Sequence, residues 1–195
     1  MRYLKDLDIK IVEKIGMSHI DLTGSKKLHY NTEVQIITED SNSGFEFYKN
    51  VSSDDTECIS AGGKTKIKNV VISNRGKSII VIADGAAFGP EIGELYLYMK
   101  SNPDIKLYLP ESFEWIILSS GLIDGNRIAD IVSNTEKYVE SADYFSWEPF
   151  FTKLLKDETK DTYLQYSKTS LNKSYLNPKE KEALLKVIQV IRNAI

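Results

Sequence analysis

The chain has few of the residues that build disulfide-stabilised or zinc-binding proteins. Cys58 is the one cysteine among 195 residues, which excludes an intrachain disulfide and a zinc site built on several cysteines. His19 and His29 have no cysteine or further histidine at the spacing of a zinc motif. We therefore expect neither histidine to bind a metal.

Apolar runs long enough to cross a bilayer are also absent, and residues 1–6 lack the apolar core of a signal peptide. We therefore expect a cytoplasmic protein with no membrane association. A net charge of −3 argues against a protein that coats nucleic acid. Residues 151–195 nevertheless carry nine Lys or Arg against five Asp or Glu. This mildly basic segment fits either phosphate contacts or an ordinary solvated helical surface.

Strand-like and helix-like segments alternate from residue 33 onward. Short runs rich in Ile and Val predict strands at 34–37, 56–61, 78–83 and 104–109. The stretches between them predict helices at 45–51, 64–71 and 90–100. This order predicts an α/β fold with a small, mostly parallel sheet and helices on both faces.

Beyond Pro110 the pattern becomes helical. We divide the chain into an N-terminal extension (1–32), an α/β domain (33–118) and a helical C-terminal extension (119–195). The last helix is expected to begin with Asn177 and Glu180 in a capping box. Its apolar stripe fits either the core or a surface for a protein partner or a second copy of the chain. The stripe consists of Leu184, Val187, Ile188, Ile191 and Ile195.

Two acidic residues follow predicted strands. Glu39 ends the first strand, and Asp84 follows the buried run Ser78 to Ala83. Ligands of open α/β sheets bind at the carboxyl ends of strands, and hard cations such as Mg²⁺ prefer oxygen ligands. The pair therefore indicates a site for metal-assisted phosphodiester chemistry. The alternative is that both acids merely cap turns.

Gly62, Gly63 and Lys64 form a turn with the character of a phosphate-binding loop. Backbone N–H groups and a lysine at the start of a helix can hold an anion, with Gly62 as a structural turn residue. The Walker pattern, however, requires a glycine where Cys58 stands. The alternative is a tight strand-to-helix turn with a surface lysine.

The motifs occur in an order that resembles the Toprim domain of primases, topoisomerases, recombination proteins and the overcoming-lysogenization-defect nucleases. That order is a strand with Glu39, the Gly-Gly-Lys turn, and a strand with Asp84-x-Ala86 followed by Gly89. In the family a glutamate follows the first strand and a D-x-D follows the third. A glycine then opens the next helix, where Gly89 stands. The Gly-Gly-Lys turn is similar to the nuclease branch in particular.

The resemblance covers about residues 33–118 and implies roles for the two acids. Glu39 would be the general acid/base or a metal-adjacent acid, and Asp84 would be a ligand of Mg²⁺ or Mn²⁺. The implied substrate is DNA or RNA, and the implied setting is a defence or mobile-element system. Segments 111–115 and 146–151 resemble stretches of Firmicutes proteins to which no function is attached.

The chain departs from the family pattern at several positions. Ala86 replaces the second aspartate of D-x-D, Asp40 replaces a small residue, and Ser43 stands where an acid is usual. Glu91, or Glu94 on the same helix face, could supply the lost carboxylate. The alternative is that these acids only complement the helix dipole.

The C-terminal part contains a tyrosine-rich segment with neighbouring lysines. Tyr163, Tyr166 and Tyr175 lie beside Lys168 and Lys173 in the sequence. They could stack bases and hold phosphates, or they could pack between helices. The sequence thus leaves two functions open: a Mg²⁺-dependent nuclease, and a degenerate Toprim-like module that binds a protein partner.

Overall fold

The computed structural model describes residues 34–85, 89–139 and 147–188. The predicted N-terminal extension and both histidines lie outside these ranges, and so does Ala86. The described residues include the four predicted strands and the residues that directly follow them.

All strand pairs in the sheet are parallel, and the strand order is β2-β1-β3-β4. The strands are β1 (Val34–Thr38), β2 (Glu57–Ser60), β3 (Ser78–Ile82) and β4 (Ile105–Tyr108). Ile and Val dominate β1 and β3, because both are central strands covered on two faces. The last residue of β1, Thr38, pairs with Ser60 of β2 and with Ile82 of β3. The carboxyl ends of these three strands are therefore level.

Helices cover both faces of the sheet, which confirms the predicted α/β fold. In the described part they are α1 (Ser43–Val51), α2 (Ile67–Ser73), α3 (Pro90–Lys100), α4 (Phe113–Ser119), α5 (Asn126–Ser133), α6 (Glu136–Val139), α7 (Trp147–Thr159) and α8 (Pro178–Val187). Short 3₁₀ turns, Lys64–Lys66 and Lys173–Leu176, precede α2 and α8. Within the described ranges, every helix is too short or too polar to cross a bilayer.

The two faces of the sheet carry separate apolar cores. Successive side chains of a strand point to opposite faces, so each central strand supplies both cores. Ile37, Ile79 and Val81 pack on one face with α2 and α3. Ile36 and Ile80 pack on the other face with α1, α4 and the C-terminal helices.

The C-terminal helices belong to the second core. Its buried members include Phe151, Leu155, Tyr175, Leu184 and Ile188. The Tyr108 hydroxyl donates to the carbonyl oxygen of Val187 at 3.3 Å, which joins β4 to the end of α8. Leu184 and Ile188 of the apolar stripe are thus buried within the chain, while the last two residues of the stripe lie outside the described residues. The boundary at residue 118 stays a prediction.

Gly85 allows the segment after β3 to approach the segment after β4. Its N–H donates to the Pro110 carbonyl oxygen at 2.6 Å. A Cβ atom at position 85 would lie 2.9 Å from the Leu109 carbonyl oxygen and 3.1 Å from that of Pro110. A side chain at this position would therefore push apart the backbone that holds Asp84.

Gly85→Ala is expected to destabilise the fold by roughly 1–3 kcal/mol, because the neighbouring carbonyl groups are backbone atoms that cannot rotate away. Thermal and urea unfolding measure this loss. Gly93→Ala in α3 is the matched control, since a Cβ atom there would meet no atom of the described residues within 4 Å apart from its chain neighbours and the backbone of its own helix. That control should gain about 0.5–1 kcal/mol from helix propensity. Equal stability of the two variants would contradict the close approach at Gly85.

Candidate functional site

The carboxyl ends of β1 and β3 form a crevice at the point where the strand order reverses. The chain runs from β1 outward to β2 and then returns to β3 on the other side of β1. Ligands of open α/β sheets bind in such crevices. Glu39 directly follows β1, and its N–H donates to the Ile82 carbonyl oxygen at 3.3 Å. Asp84 follows β3 two residues later, so the structure brings the two predicted acids together.

Both acids line a single pocket. Its walls are the ends of β1 and β3, the start of α1, the start of α4, and Tyr166 and Lys168 from the segment between α7 and α8. The pocket measures about 40 Å³. A pocket of this size has room for a few water molecules or for one ion.

Carboxylates crowd the pocket. Burial raises the pKa of Asp84 well above its ordinary value, and the negative charges of Glu114, Glu148, Glu39 and Asp40 raise it further. Each of these charges disfavours the ionised form of Asp84. A bound proton or a nearby cation would offset this repulsion.

Glu39 has an oxygen that is available to a ligand. Its Oε2 atom is buried and has no hydrogen-bond partner in the described part of the chain. Burial raises the pKa of Glu39, and the charges of Asp40 and Glu148 add to the rise, whereas the Asp84 backbone N–H and Lys64 oppose it. An unsatisfied buried carboxylate oxygen is costly in a folded protein, so this atom is a candidate ligand position.

Glu114 is a buried acid that the motifs did not identify as part of the site. It is 3% exposed, and its Oε1 atom accepts hydrogen bonds from Tyr166 Oη and Thr152 Oγ1, both at 2.8 Å. Tyr166 Oη also lies 3.1 Å from Ser43 Oγ. Burial and then the charge of Glu114 raise the pKa of Tyr166, which keeps its hydroxyl a donor. In the sequence, one feature could have indicated that Glu114 belongs to the site: it is the one charged residue of the apolar segment that forms α4.

Lys168 brings a positive charge to the same pocket. Its ammonium donates to Glu148 Oε1, and its carbonyl oxygen accepts from the Ser43 N–H at 3.0 Å. Burial lowers the pKa of Lys168, but the hydrogen bond and charge of Glu148, together with Glu114 and Asp84, outweigh this effect and raise it. Lys168 therefore stays protonated beside the acids.

The Gly-Gly-Lys turn lies against the end of β1. Gly62 and Gly63 have φ angles of 72° and 125°, a backbone region that favours glycine. The Gly63 N–H donates to the Glu39 carbonyl oxygen at 2.7 Å, so it is already used and cannot also hold a phosphate. The helix expected from Lys64 begins at Ile67, after a 3₁₀ turn. The phosphate-binding role stays a prediction for the Lys64 side chain, whose charge reaches Glu39.

Other candidates lie away from the pocket. Gly89 directly precedes α3, as expected, and Glu91 is in the first turn of that helix but does not line the pocket. Glu94 is exposed and forms an ion pair with Lys68 at 2.6 Å. No group of three His, Cys, Asp or Glu side chains within the described ranges is arranged to hold a metal ion. The Glu91 Oε2 atom is, like that of Glu39, buried without a hydrogen-bond partner among the described residues. Metal binding by Glu91 stays a prediction.

The tyrosines do not form a common stacking surface. Tyr166 and Tyr175 are buried in the core, as expected for packing between helices. Tyr163 is 62% exposed, and its hydroxyl donates to Glu180 Oε1 at 3.0 Å. The predicted capping box is wrong in part, because the Asn177 side chain makes no cap hydrogen bond.

A scan against protein-family models found no match, and comparisons with curated proteins and with solved structures also found none. The similarity to Toprim domains therefore stays a prediction that rests on the motif residues.

Asp84→Asn is expected to stabilise the protein at pH 7 in the absence of divalent cations. Because the pKa of Asp84 is raised on folding, ionisation opposes folding as the pH rises above the ordinary aspartate value. The gain should be roughly 1 kcal/mol, or about 2–4 °C in Tm for a chain of this size. It should disappear near pH 3–4, where the aspartate is largely protonated in both states.

Thermal unfolding between pH 3 and pH 8 measures this dependence. Asp157→Asn is the control, because Asp157 is exposed on α7 and lies outside the pocket. The explanation is wrong if Asp84→Asn loses stability at pH 7, or if its gain is the same at pH 3.5.

Proposed function

We propose that the protein is a divalent-cation-dependent phosphodiesterase that acts on DNA or RNA, with Mg²⁺ or Mn²⁺ held between Glu39 and Asp84. The observation that carries this proposal is the meeting of the two acids in the crevice between β1 and β3. A cytoplasmic location and a role in a defence or mobile-element system belong to the same proposal.

The residues present suit a hard cation. The pocket offers carboxylate oxygens from separate strand ends, and Glu39 Oε2 is a buried oxygen without a partner in the described ranges. The mutual repulsion that raises the pKa of Asp84 would be relieved by a positive ion. Such an ion, when bound, stabilises charge on the phosphate and orients the attacking water. With two protein carboxylates as ligands, most of its coordination would be water.

Glu39, Asp84 and Lys64 have separate roles in the proposed reaction. Burial raises the pKa of Glu39 above its ordinary value, which is the direction that suits a carboxyl group taking part in proton transfer. Asp84 would anchor the cation, since it lies deeper among the other acids. The Lys64 side chain, at the end of the Gly-Gly-Lys turn, would attract the phosphate from the β2 side of the crevice. The resemblance to Toprim nucleases assigns the same roles to Glu39 and Asp84.

A second candidate is a degenerate Toprim-like module that binds a protein partner without cutting nucleic acid. Two observations favour it. No group of three suitable ligands occurs within the described ranges, and the Lys168–Glu148 ion pair already provides one positive charge beside the pocket. The experiment below distinguishes the two candidates.

Purified protein incubated with single- and double-stranded DNA and RNA should cleave at least one substrate in Mg²⁺ or Mn²⁺ and none in EDTA. Glu39→Gln and Asp84→Asn should each reduce the rate by about 100-fold or more, because each removes a group in direct contact with the reaction. Cleavage is followed on labelled oligonucleotides under single-turnover conditions.

Glu94→Gln is the control for this assay, since Glu94 is exposed and paired with Lys68 outside the pocket. Glu91→Gln tests the remaining ligand hypothesis and should retain activity. Cleavage that survives in both pocket variants would place the activity elsewhere. Absence of cleavage and of Mn²⁺ binding would support the partner-binding module.

A further inference from the structure

The segment between α7 and α8 crosses the pocket and is attached to α1. We call residues 162–171 the strap. The Ser43 N–H donates to the Lys168 carbonyl oxygen at 3.0 Å, and the Leu171 N–H donates to Glu46 Oε2 at 2.9 Å. Both bonds use backbone atoms of the strap, so they do not depend on its side chains. The strap therefore holds the Lys168 side chain at the pocket.

Lys168 is the one residue with a positively charged side chain among the described residues that line the pocket. Four acids, Glu39, Asp40, Asp84 and Glu114, line the same pocket. The side chains of Lys168 and its partner Glu148 are 36% and 25% exposed, so water screens this ion pair incompletely. Asp84 and Glu114 are among the acids whose charges act on Lys168, so the lysine charge acts on one of the two acids to which we assign the cation.

We propose that Lys168 is the internal counter-cation of this pocket: it neutralises part of the acidic charge when no divalent cation is bound, and it thereby lowers the pocket's affinity for one. This inference rests on the proposed function for the identity of the site. It identifies a residue on the strap, outside the strand-end motifs, that affects how tightly the pocket binds a divalent cation.

Electrostatics explains the direction of the effect. A divalent cation between Glu39 and Asp84 is attracted by every carboxylate in the pocket and repelled by the ammonium of Lys168. Removing the ammonium also frees the charge of Glu148, which acts on Asp84. Both changes strengthen cation binding. Without a cation, the same removal leaves the acids less compensated and weakens the fold.

Mn²⁺ binding to the full-length chain, measured by electron paramagnetic resonance, tests this inference. Lys168→Gln should bind Mn²⁺ about tenfold more tightly than the original chain, because one unit of positive charge has been removed beside the ion. Lys168→Arg keeps the charge and should stay within about twofold of the original. Lys160→Gln removes the same charge from an exposed residue outside the pocket and should also have little effect.

Unchanged or weaker Mn²⁺ binding by Lys168→Gln would overturn the inference. If neither the original chain nor any variant binds Mn²⁺, the metal-dependent function fails, and the counter-cation role is decided by unfolding instead. Without metal, Lys168→Gln should then lower Tm by about 3 °C relative to Lys160→Gln. Equal Tm values for these two variants would overturn the counter-cation role as well.

Discussion

The site depends on one constraint, which is the repulsion among carboxylates at the carboxyl ends of β1 and β3. Parallel pairing of β1 with β3 aligns Thr38 with Ile82, so the residues that follow must emerge side by side. Two of those residues are Glu39 and Asp84, and both are only partly exposed, so water screens their charges incompletely. A fold that keeps such a cluster gives up stability for it, which is the usual relation between stability and function at active sites.

The C-terminal helices complete the pocket. Thr152 on α7 and Tyr166 on the strap both donate to Glu114, which places a buried acid from α4 beside Asp84. The strap also brings Lys168 to the wall of the pocket. Loss of the helical region would therefore open the core and remove the positive charge of Lys168 from the pocket. The strand-end motifs themselves lie outside that region. The sheet supplies two acids, and the helices determine their electrostatic surroundings.

The sequence predicted the sheet well because the evidence for it is local. Unbroken Ile and Val runs in β1 and β3 identify central strands, and the acid after each run marks its end. The involvement of Glu114 and Lys168 could not be predicted in the same way. Both are separated from the motifs by tens of residues, and their positions depend on how α4 and the strap pack on the sheet. The capping box predicted from the local sequence at Asn177 is also wrong in part. The Asn177 side chain makes no cap hydrogen bond, and the Glu180 carboxylate accepts a hydrogen bond from Tyr163.

The central claim is that Glu39 and Asp84 share one cation. A crystal structure of the protein grown with Mn²⁺, with anomalous difference density collected near the manganese edge, tests it most directly. We expect a single strong peak in the crevice between β1 and β3, within bonding distance of a carboxylate oxygen from each acid. A peak bound elsewhere, or an empty crevice at a Mn²⁺ concentration that saturates binding in solution, would contradict this account.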